Sequence, residues 1–154
     1  MIKVNVILKN FTWRKYLKDP SEFFNQKIRL INKKDKSYKN KKLIFSLMLS
    51  DSLEIKRLNK RYRKKDKSTD VLSFPFYEKN DLKKIILKNN ELYLGDIIIN
   101  LKKIRHKANK TKFKKELVKI WIHGFVHLFG YTHKNDRNYN LMNKLEKKYL
   151  NFIN

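Results

Sequence analysis

Three histidines and a glycine lie close together in the pattern H-x-x-x-H-x-x-G-x-x-H, at His123, His127, Gly130 and His133. Positions four apart on a helix lie about 40° apart around its axis, so His123 and His127 would share one face. Gly130 can adopt positive φ and end the helix, which would let the chain turn and bring His133 back as a third ligand. The spacing therefore predicts a metal site built from three imidazoles.

Three neutral imidazoles suit Zn²⁺, and three protein ligands leave a fourth position open, which is typical of a catalytic rather than a structural site. The chain is mostly apolar between residues 117 and 129, which predicts a buried helix. Buried imidazole nitrogens need partners, and a metal ion would satisfy one nitrogen of each ring. The alternative is a chance cluster, since a single histidine in an apolar helix is more often a hydrogen-bonded core residue.

Gly124 lies in the middle of this predicted helix, where glycine costs about 1 kcal/mol relative to alanine. The chain has only three glycines, so one at this costly position is expected to serve something other than stability. We expect it to leave open space beside His123 that could admit a substrate to the metal. Metzincin proteases share the histidine and glycine spacing, but they carry glutamate directly after the first histidine as the general base. Because Gly124 occupies that position, the sequence argues against peptide hydrolysis.

Further segments extend the histidine motif into a resemblance to a known family. HGFVHLFGYTH is similar to the H-G-x-L-H-L-x-G-Y-D-H signature of the YbeY family, the bacterial rRNA maturation factors and single-strand-specific endoribonucleases. LNKRYRKKDKSTDVLSFP at residues 58–75 is similar to that family's L-N-x-x-Y-R-x-x-D-x-x-T-D-V-L-S-F-P, and LGDI at 94–97 and an M-x-x-L-E stretch at 142–146 also fit. The departures are Thr132 for a usual aspartate and Ser68 for a frequent proline.

The resemblance implies a single metal-dependent endoribonuclease domain over residues 1–154, with His123, His127 and His133 as the ligands of one metal ion per chain. The expected cofactor is Zn²⁺, with another divalent ion as the alternative. It implies zinc-assisted cleavage of single-stranded RNA in rRNA processing, in late 3′-end maturation of the small-subunit rRNA and ribosome biogenesis. An rRNA precursor is then the expected partner, with the ribosomal small subunit as a further one.

Arg63 matches the functionally important arginine in the family's Y-R step, so the resemblance makes it the candidate catalytic residue that binds the scissile phosphate. A planar guanidinium can donate two parallel hydrogen bonds to phosphate, which lysine cannot reproduce. The alternative is an ordinary cation at a helix end. The neighbouring Arg61, Lys64 and Lys65 are candidate RNA-binding residues, and Asp70 or a carboxylate behind the ligands is the candidate general base.

The composition is that of one globular domain. A chain of 154 residues is large enough for a hydrophobic core, and 41% of its residues are hydrophobic. No apolar run approaches the length of a membrane span, and the polar, alternating N-terminus does not resemble a signal peptide. Together with the absence of cysteine, these features predict a cytoplasmic location.

The formal net charge is +25, which favours a polyanionic partner such as RNA. The alternative is compositional drift, because an AT-rich genome would also produce a chain rich in lysine, asparagine and isoleucine. We attribute about half of the excess charge to drift. Either way, the lysine-rich runs would strengthen RNA binding without sequence specificity and in a salt-dependent manner.

Alternation and apolar runs predict four strands, at residues 2–8, 42–49, 71–76 and 92–100. Helices are predicted from Asp19-Pro20, from residues 50–52, over 101–110, from about 113 and over 138–152, whereas the polar 77–90 segment is predicted to be a loop. The expected fold is α+β, a mixed sheet of about four strands packed with helices, one of them a zincin-like helix that bears the metal. His106 lies outside every motif and is expected on the surface.

Three classes of function remain open on the sequence alone. The first is the endoribonuclease that the ordered motifs imply. The second is a metal-dependent hydrolase of another substrate, such as a peptide or a small ester. The third is a non-catalytic RNA-binding ribosome-assembly factor with a structural zinc, because a chain of this charge would bind RNA in any case.

Overall fold

A single four-stranded sheet organises the molecule in a computed structural model that describes residues 1–154. Its strands are β1 (Ile2–Leu8), β2 (Lys42–Ser50), β3 (Val71–Pro75) and β4 (Glu91–Asn100), arranged in the order β1-β2-β4-β3. The β1–β2 and β2–β4 pairs are parallel, and β3 runs antiparallel to β4 at one edge. The predicted mixed sheet of four strands is confirmed.

Five helices accompany the sheet. They are α1 (Pro20–Lys34), α2 (Ser52–Arg63), α3 (Lys79–Lys88), α4 (Lys110–Leu128) and α5 (Asp136–Ile153), and two short 3-10 turns span Phe11–Lys15 and Leu101–Lys103. The predicted starts of α1 and α2 are confirmed by their capping residues. The Asp19 carboxylate accepts from the Glu22 amide at 2.9 Å, and the Asp51 carboxylate accepts from the amides of the first turn of α2. None of these helices combines the length and apolarity required to cross a bilayer.

The two faces of the sheet are covered unequally. Helices α1, α4 and α5 pack on one face, where alternate residues of β2 such as Phe45 and Leu47 are fully buried. Only α2 covers the opposite face, where Ile55 packs in a separate small cluster with Leu72 and Ile98. Helix α4, which carries His123 and His127, packs against β3 and β4 on the well-covered face.

Two predicted elements were wrong. Residues 77–90 are not a loop, because Leu82, Ile85 and Ile86 recur at helical spacing and pack α3 on the core between exposed lysines. The helix predicted over residues 101–110 is absent: only the short 3-10 turn forms before α4 begins at Lys110. Ile104 is buried in this segment, and His106 has a positive φ of 38°. Helix α4 begins at Lys110 and α5 at Asp136, each slightly before its predicted start.

Gly124 lies where α4 makes its close approach to β3. A Cβ at this position would lie 2.9 Å from the Ser73 Oγ, 3.0 Å from an Ile97 methyl and 3.1 Å from a Val71 methyl. The Ser73 hydroxyl also donates to the Gly124 carbonyl at 2.9 Å. The expectation of open space for substrate beside Gly124 is therefore wrong: glycine is required because the helix lies directly on the strand.

We expect Gly124→Ala to destabilise the protein by about 1–2 kcal/mol, because overpacking outweighs the roughly 1 kcal/mol gained in helix propensity. Urea unfolding would measure the loss. In a Ser73→Ala background the same substitution should cost less, because the nearest obstructing atom is gone. Equal stability of Gly124→Ala and the wild-type protein would contradict the close approach.

Candidate metal centre

The three predicted ligands converge on one point. One ligating nitrogen from each of His123, His127 and His133 lies within 4.8 Å of the other two, and the Nε2 atoms of His123 and His127 are 3.2 Å apart. The first two project from the last turns of α4, and the third follows the loop after it. The structure thus brings together all three residues that the spacing singled out.

The other nitrogen of two of these rings is already occupied. His123 Nδ1 lies 2.8 Å from the Glu146 Oε1 on α5, and His127 Nδ1 lies 2.7 Å from the Tyr131 carbonyl oxygen. Because both partners are acceptors, each Nδ1 donates its proton and each Nε2 keeps a free lone pair. The two lone pairs then face each other, an arrangement that a cation between them would stabilise.

The spacing of these nitrogens fits a metal ion. Two imidazoles in tetrahedral coordination, each about 2.0–2.1 Å from zinc, would hold their nitrogens about 3.3 Å apart. The Nε2 atoms of His123 and His127 are 3.2 Å apart, close to that value. Three ligating side chains form the group, and His133 is exposed, so a fourth position would open toward solvent. The three-histidine group can therefore bind a metal ion.

Burial keeps one ligand in the form that binds metal. It lowers the pKa of His127 to about 4, although the hydrogen bond to the Tyr131 carbonyl opposes the shift. The nearby His123 and His133 lower the pKa further, as does the positive charge of Arg63. His127 is consequently a neutral imidazole at pH 7, which is the state that coordinates a metal.

Gly130 ends the metal-bearing helix as predicted. Its φ is 78°, and its amide donates to the His127 carbonyl at 2.9 Å. A Cβ here would lie 2.6 Å from the Lys79 Cα, so the first residue of α3 packs directly on the turn. The Lys79 ammonium also lies 4.2 Å from the centre of the Tyr131 ring. Helix α3, in the segment predicted to be a loop, therefore packs against the turn that leads to His133.

Glu146 is the functional residue that the sequence reasoning did not assign. Its only signal was its place in the M-x-x-L-E stretch, and helix α5 brings it behind His123.

An ion pair between Lys148 and Asp35 at 3.1 Å ties this part of α5 to the end of α1. Burial raises the pKa of Asp35, but hydrogen bonds from Ser37 and the Lys148 ammonium outweigh it, so the pKa is lowered overall.

Arg63 is the last residue of α2 and lies beside β3. Its Nη2 donates to the Ser73 carbonyl at 3.1 Å, and its guanidinium carbon lies 6.0 Å from the centre of the Phe74 ring. The same Ser73 donates its hydroxyl proton to the Gly124 carbonyl in α4, so Arg63 is one residue removed from the helix that carries His123 and His127. The catalytic role of Arg63 stays a prediction that this position supports.

The remaining predicted site residues lie around the end of α2 and just before β3. Arg61, Lys64 and Lys65 are exposed around the end of α2, and Lys64 ends that helix in the left-handed conformation. Asp70 accepts hydrogen bonds from its neighbours, the Val71 amide at 2.8 Å and the Thr69 hydroxyl at 3.1 Å. Glu146 is the carboxylate that touches a histidine, and His106 is exposed, as expected.

A polar cavity of about 570 Å³ adjoins the start of α5, just after His133 in the chain. Its lining includes the cations Lys79 and Arg137, together with Asn135, Asp136, Asn138 and Leu141. The cavity wall is thus polar and carries two cations against one acid, which favours an anionic ligand there.

A mixed α+β fold that carries a three-histidine group able to bind a metal, with Lys79 packed on the turn after the helix and Arg63 bonded to the adjacent strand, defines this protein as a candidate metal-dependent hydrolase of an anionic substrate. Residues 8–154 match the family described as Endoribonuclease YbeY, and the chain belongs to that family.

Relatives named Endoribonuclease YbeY cover most of the chain. The protein of Pelagibacter ubique is 40% identical over 155 residues, which cover 99% of this chain and 97% of the relative. That of Buchnera aphidicola subsp. Schizaphis graminum is 37% identical, over 76% of this chain and 72% of its own. The solution structure of TM1509 from Thermotoga maritima matches with a TM-score of 0.56 and 28% identity, covering 99% of this chain and 89% of that one.

We expect Glu146→Ala to weaken metal binding about 10- to 100-fold, because His123 loses the acceptor that fixes its orientation and its protonated nitrogen. Competition with a chromogenic chelator would measure the affinity. Glu146→Gln, whose amide oxygen can still accept, should lose less, and Glu91→Ala on the surface should lose nothing. Unchanged affinity in Glu146→Ala would contradict this role.

Proposed function

We propose that this protein is a metal-dependent endoribonuclease that cuts single-stranded RNA and acts in rRNA processing. The observation that carries the proposal is the convergence of His123, His127 and His133 on a point open to solvent, in a member of the Endoribonuclease YbeY family. The formal net charge of +25 supports an RNA substrate. We assign the whole of residues 1–154 to one catalytic domain.

His123, His127 and His133 would hold the ion, and three imidazoles favour Zn²⁺ among the divalent metals. A bound divalent ion would supply a Lewis acid for phosphodiester cleavage. The protein's own contribution is orientation: Glu146 and the Tyr131 carbonyl hold the protons of the two helical histidines on Nδ1, which leaves the Nε2 lone pair of each ring free to bind an ion.

Arg63 would bind the phosphate that is cut. The bond from its Nη2 to the Ser73 carbonyl leaves the other guanidinium donors available for a phosphate oxygen beside the histidines. This anchoring also limits the motion of a long side chain, so less rotamer entropy is lost when the substrate binds. Arg61, Lys64 and Lys65 would bind the flanking RNA backbone through charge.

The biological setting extends the same proposal. We infer that the substrate is an rRNA precursor, cut during late 3′-end maturation of the small-subunit rRNA, and that the small ribosomal subunit presents it. A cytoplasmic location follows from such a substrate. The open coordination position argues against a purely structural zinc, and glycine in place of glutamate after His123 argues against peptide hydrolysis.

The central test uses His127→Ala. This variant should lose both the bound metal, measured by elemental analysis, and the cleavage of single-stranded RNA, because a three-ligand site does not survive the loss of one ligand. Chelation should abolish cleavage in the wild-type protein, and added Zn²⁺ should restore it. His106→Ala, an exposed histidine outside the group, is the matched control and should retain both.

Full cleavage by metal-free His127→Ala would overturn the proposal. Tight RNA binding without turnover by the metal-loaded wild-type protein would instead favour the assembly factor. Hydrolysis of esters or peptides, but not of RNA, would favour the second class of function.

Arg63→Lys should lower kcat for RNA cleavage about 100-fold while leaving the metal content unchanged, because a point charge replaces the planar donor fork. Steady-state kinetics with a labelled RNA would measure it. Arg57→Lys, an exposed arginine on the same helix, is the control and should cut at the wild-type rate. Wild-type kcat in Arg63→Lys would rule out the phosphate role.

A further inference from the structure

Part of the less covered sheet face carries exposed aromatic rings. Phe76, directly after β3, is 66% exposed, and Tyr62, at the end of α2, is 58% exposed. Phe74 and Tyr93 lie half-buried beside them: Tyr62 and Phe74 have ring centres 5.5 Å apart, and Phe76 and Tyr93 have theirs 6.2 Å apart. We call these four residues the aromatic surface. Contiguous exposed rings of this kind indicate a binding site.

A groove of about 510 Å³ opens beside the aromatic surface. Its walls are mostly apolar and include two of the four rings, with Met48, Leu58 and Ile98. Three charged residues, Lys9, Glu54 and Asp96, also line it. This shape suits a flat, largely apolar group that can enter between side chains.

Cations accompany the rings, and the acids are partnered. The guanidinium carbon of Arg61 lies 5.3 Å from the centre of the Tyr62 ring, and that of Arg63 lies 6.0 Å from the Phe74 ring. The Asp96 carboxylate accepts from the Tyr93 hydroxyl at 2.7 Å. Glu54 accepts from a serine hydroxyl and faces Arg57 at 3.9 Å. Lys9, Arg57, Arg61 and Arg63 outnumber Glu54 and Asp96, so the charged groups around the rings carry a net charge of +2.

The aromatic surface is continuous with the three-histidine group through Arg63. This residue donates to the Ser73 carbonyl on β3 and lies over Phe74, and the Ser73 hydroxyl donates to the carbonyl of Gly124, which lies between His123 and His127 in α4. β3 is an edge strand, so the histidine side and the aromatic side of the sheet meet at its free edge. A strand of nucleic acid can pass round this edge.

We propose that the aromatic surface binds unpaired bases of the RNA whose phosphate lies at Arg63, an inference that rests on the proposed function. Rings beside cations bind single strands because every base offers a π-face and every nucleotide a phosphate. Bases within a duplex stay stacked on one another and cannot reach the rings. The surface therefore makes the protein selective for single-stranded RNA, and the chain's charge favours RNA over an apolar protein partner.

Phe76→Leu and Tyr62→Leu test the proposal, since leucine keeps apolar volume but removes the ring. Each should weaken binding of the metal-loaded protein to a short, cleavage-resistant single-stranded RNA about tenfold, measured by fluorescence anisotropy at physiological salt. Binding to a duplex of the same sequence should change little. Phe76→Tyr keeps a ring and should keep the affinity. Phe11→Leu is the matched control, because Phe11 is 74% exposed and follows β1, at the opposite edge of the sheet.

Wild-type affinity in both leucine variants would overturn the proposal, as would equal losses for single strand and duplex, or a similar loss in Phe11→Leu. Sedimentation that showed wild-type dimers broken by Phe76→Leu would make a second copy of the chain the occupant instead. Because the binding assay does not depend on cleavage, failure of the aromatic surface and failure of the nuclease activity give different results.

Discussion

The close contact between α4 and β3 is the constraint on which the site depends, and Ser73 joins α4 to β3 with its hydroxyl and α2 to β3 with its carbonyl. The Ser73 hydroxyl donates to the Gly124 carbonyl between His123 and His127, while the Ser73 carbonyl accepts from Arg63. One strand residue thus fixes the distance between the metal-binding side chains and the cation that would face the substrate. A side chain larger than hydrogen at position 124 would push the helix away and separate the two parts of the site.

The histidines themselves are oriented from behind by two different kinds of acceptor. A carboxylate holds His123 and a main-chain carbonyl holds His127, so only one of the two acceptors, Glu146 on α5, carries a negative charge. The position of α5 is secured by the buried Asp35 carboxylate and by the packing of Tyr149 on Phe125. The metal centre therefore relies on elements that are distant in sequence, although its ligands lie within eleven consecutive residues.

The parts of the structure that were predictable are those determined by short-range periodicity. Helical spacing was enough to place His123 and His127 together, and positive φ at Gly130 followed from the need to end the helix. Alternation located all four strands. Helix α3 was missed because lysines interrupt a short apolar stripe, and residues 101–110 were assigned wrongly because the burial of Ile104 looks the same in a helix as in an extended segment. The role of Gly124 depends on the strand residues packed against it, and the hydrogen bond between His123 and Glu146 depends on where α5 packs. Both are contacts between segments distant in the chain, which the spacing of residues does not reveal.

The packing of Lys79 on Gly130 links two segments into one unit of local unfolding. The backbone of α3 fills the space that a side chain at residue 130 would take, so the loop carrying His133 cannot rearrange while α3 stays docked. Amide hydrogens of α3 and of that loop would then exchange with solvent together, and an ion held by His133 would slow exchange in both. Occupancy of the site is in this way transmitted to a helix that contributes no ligand to it.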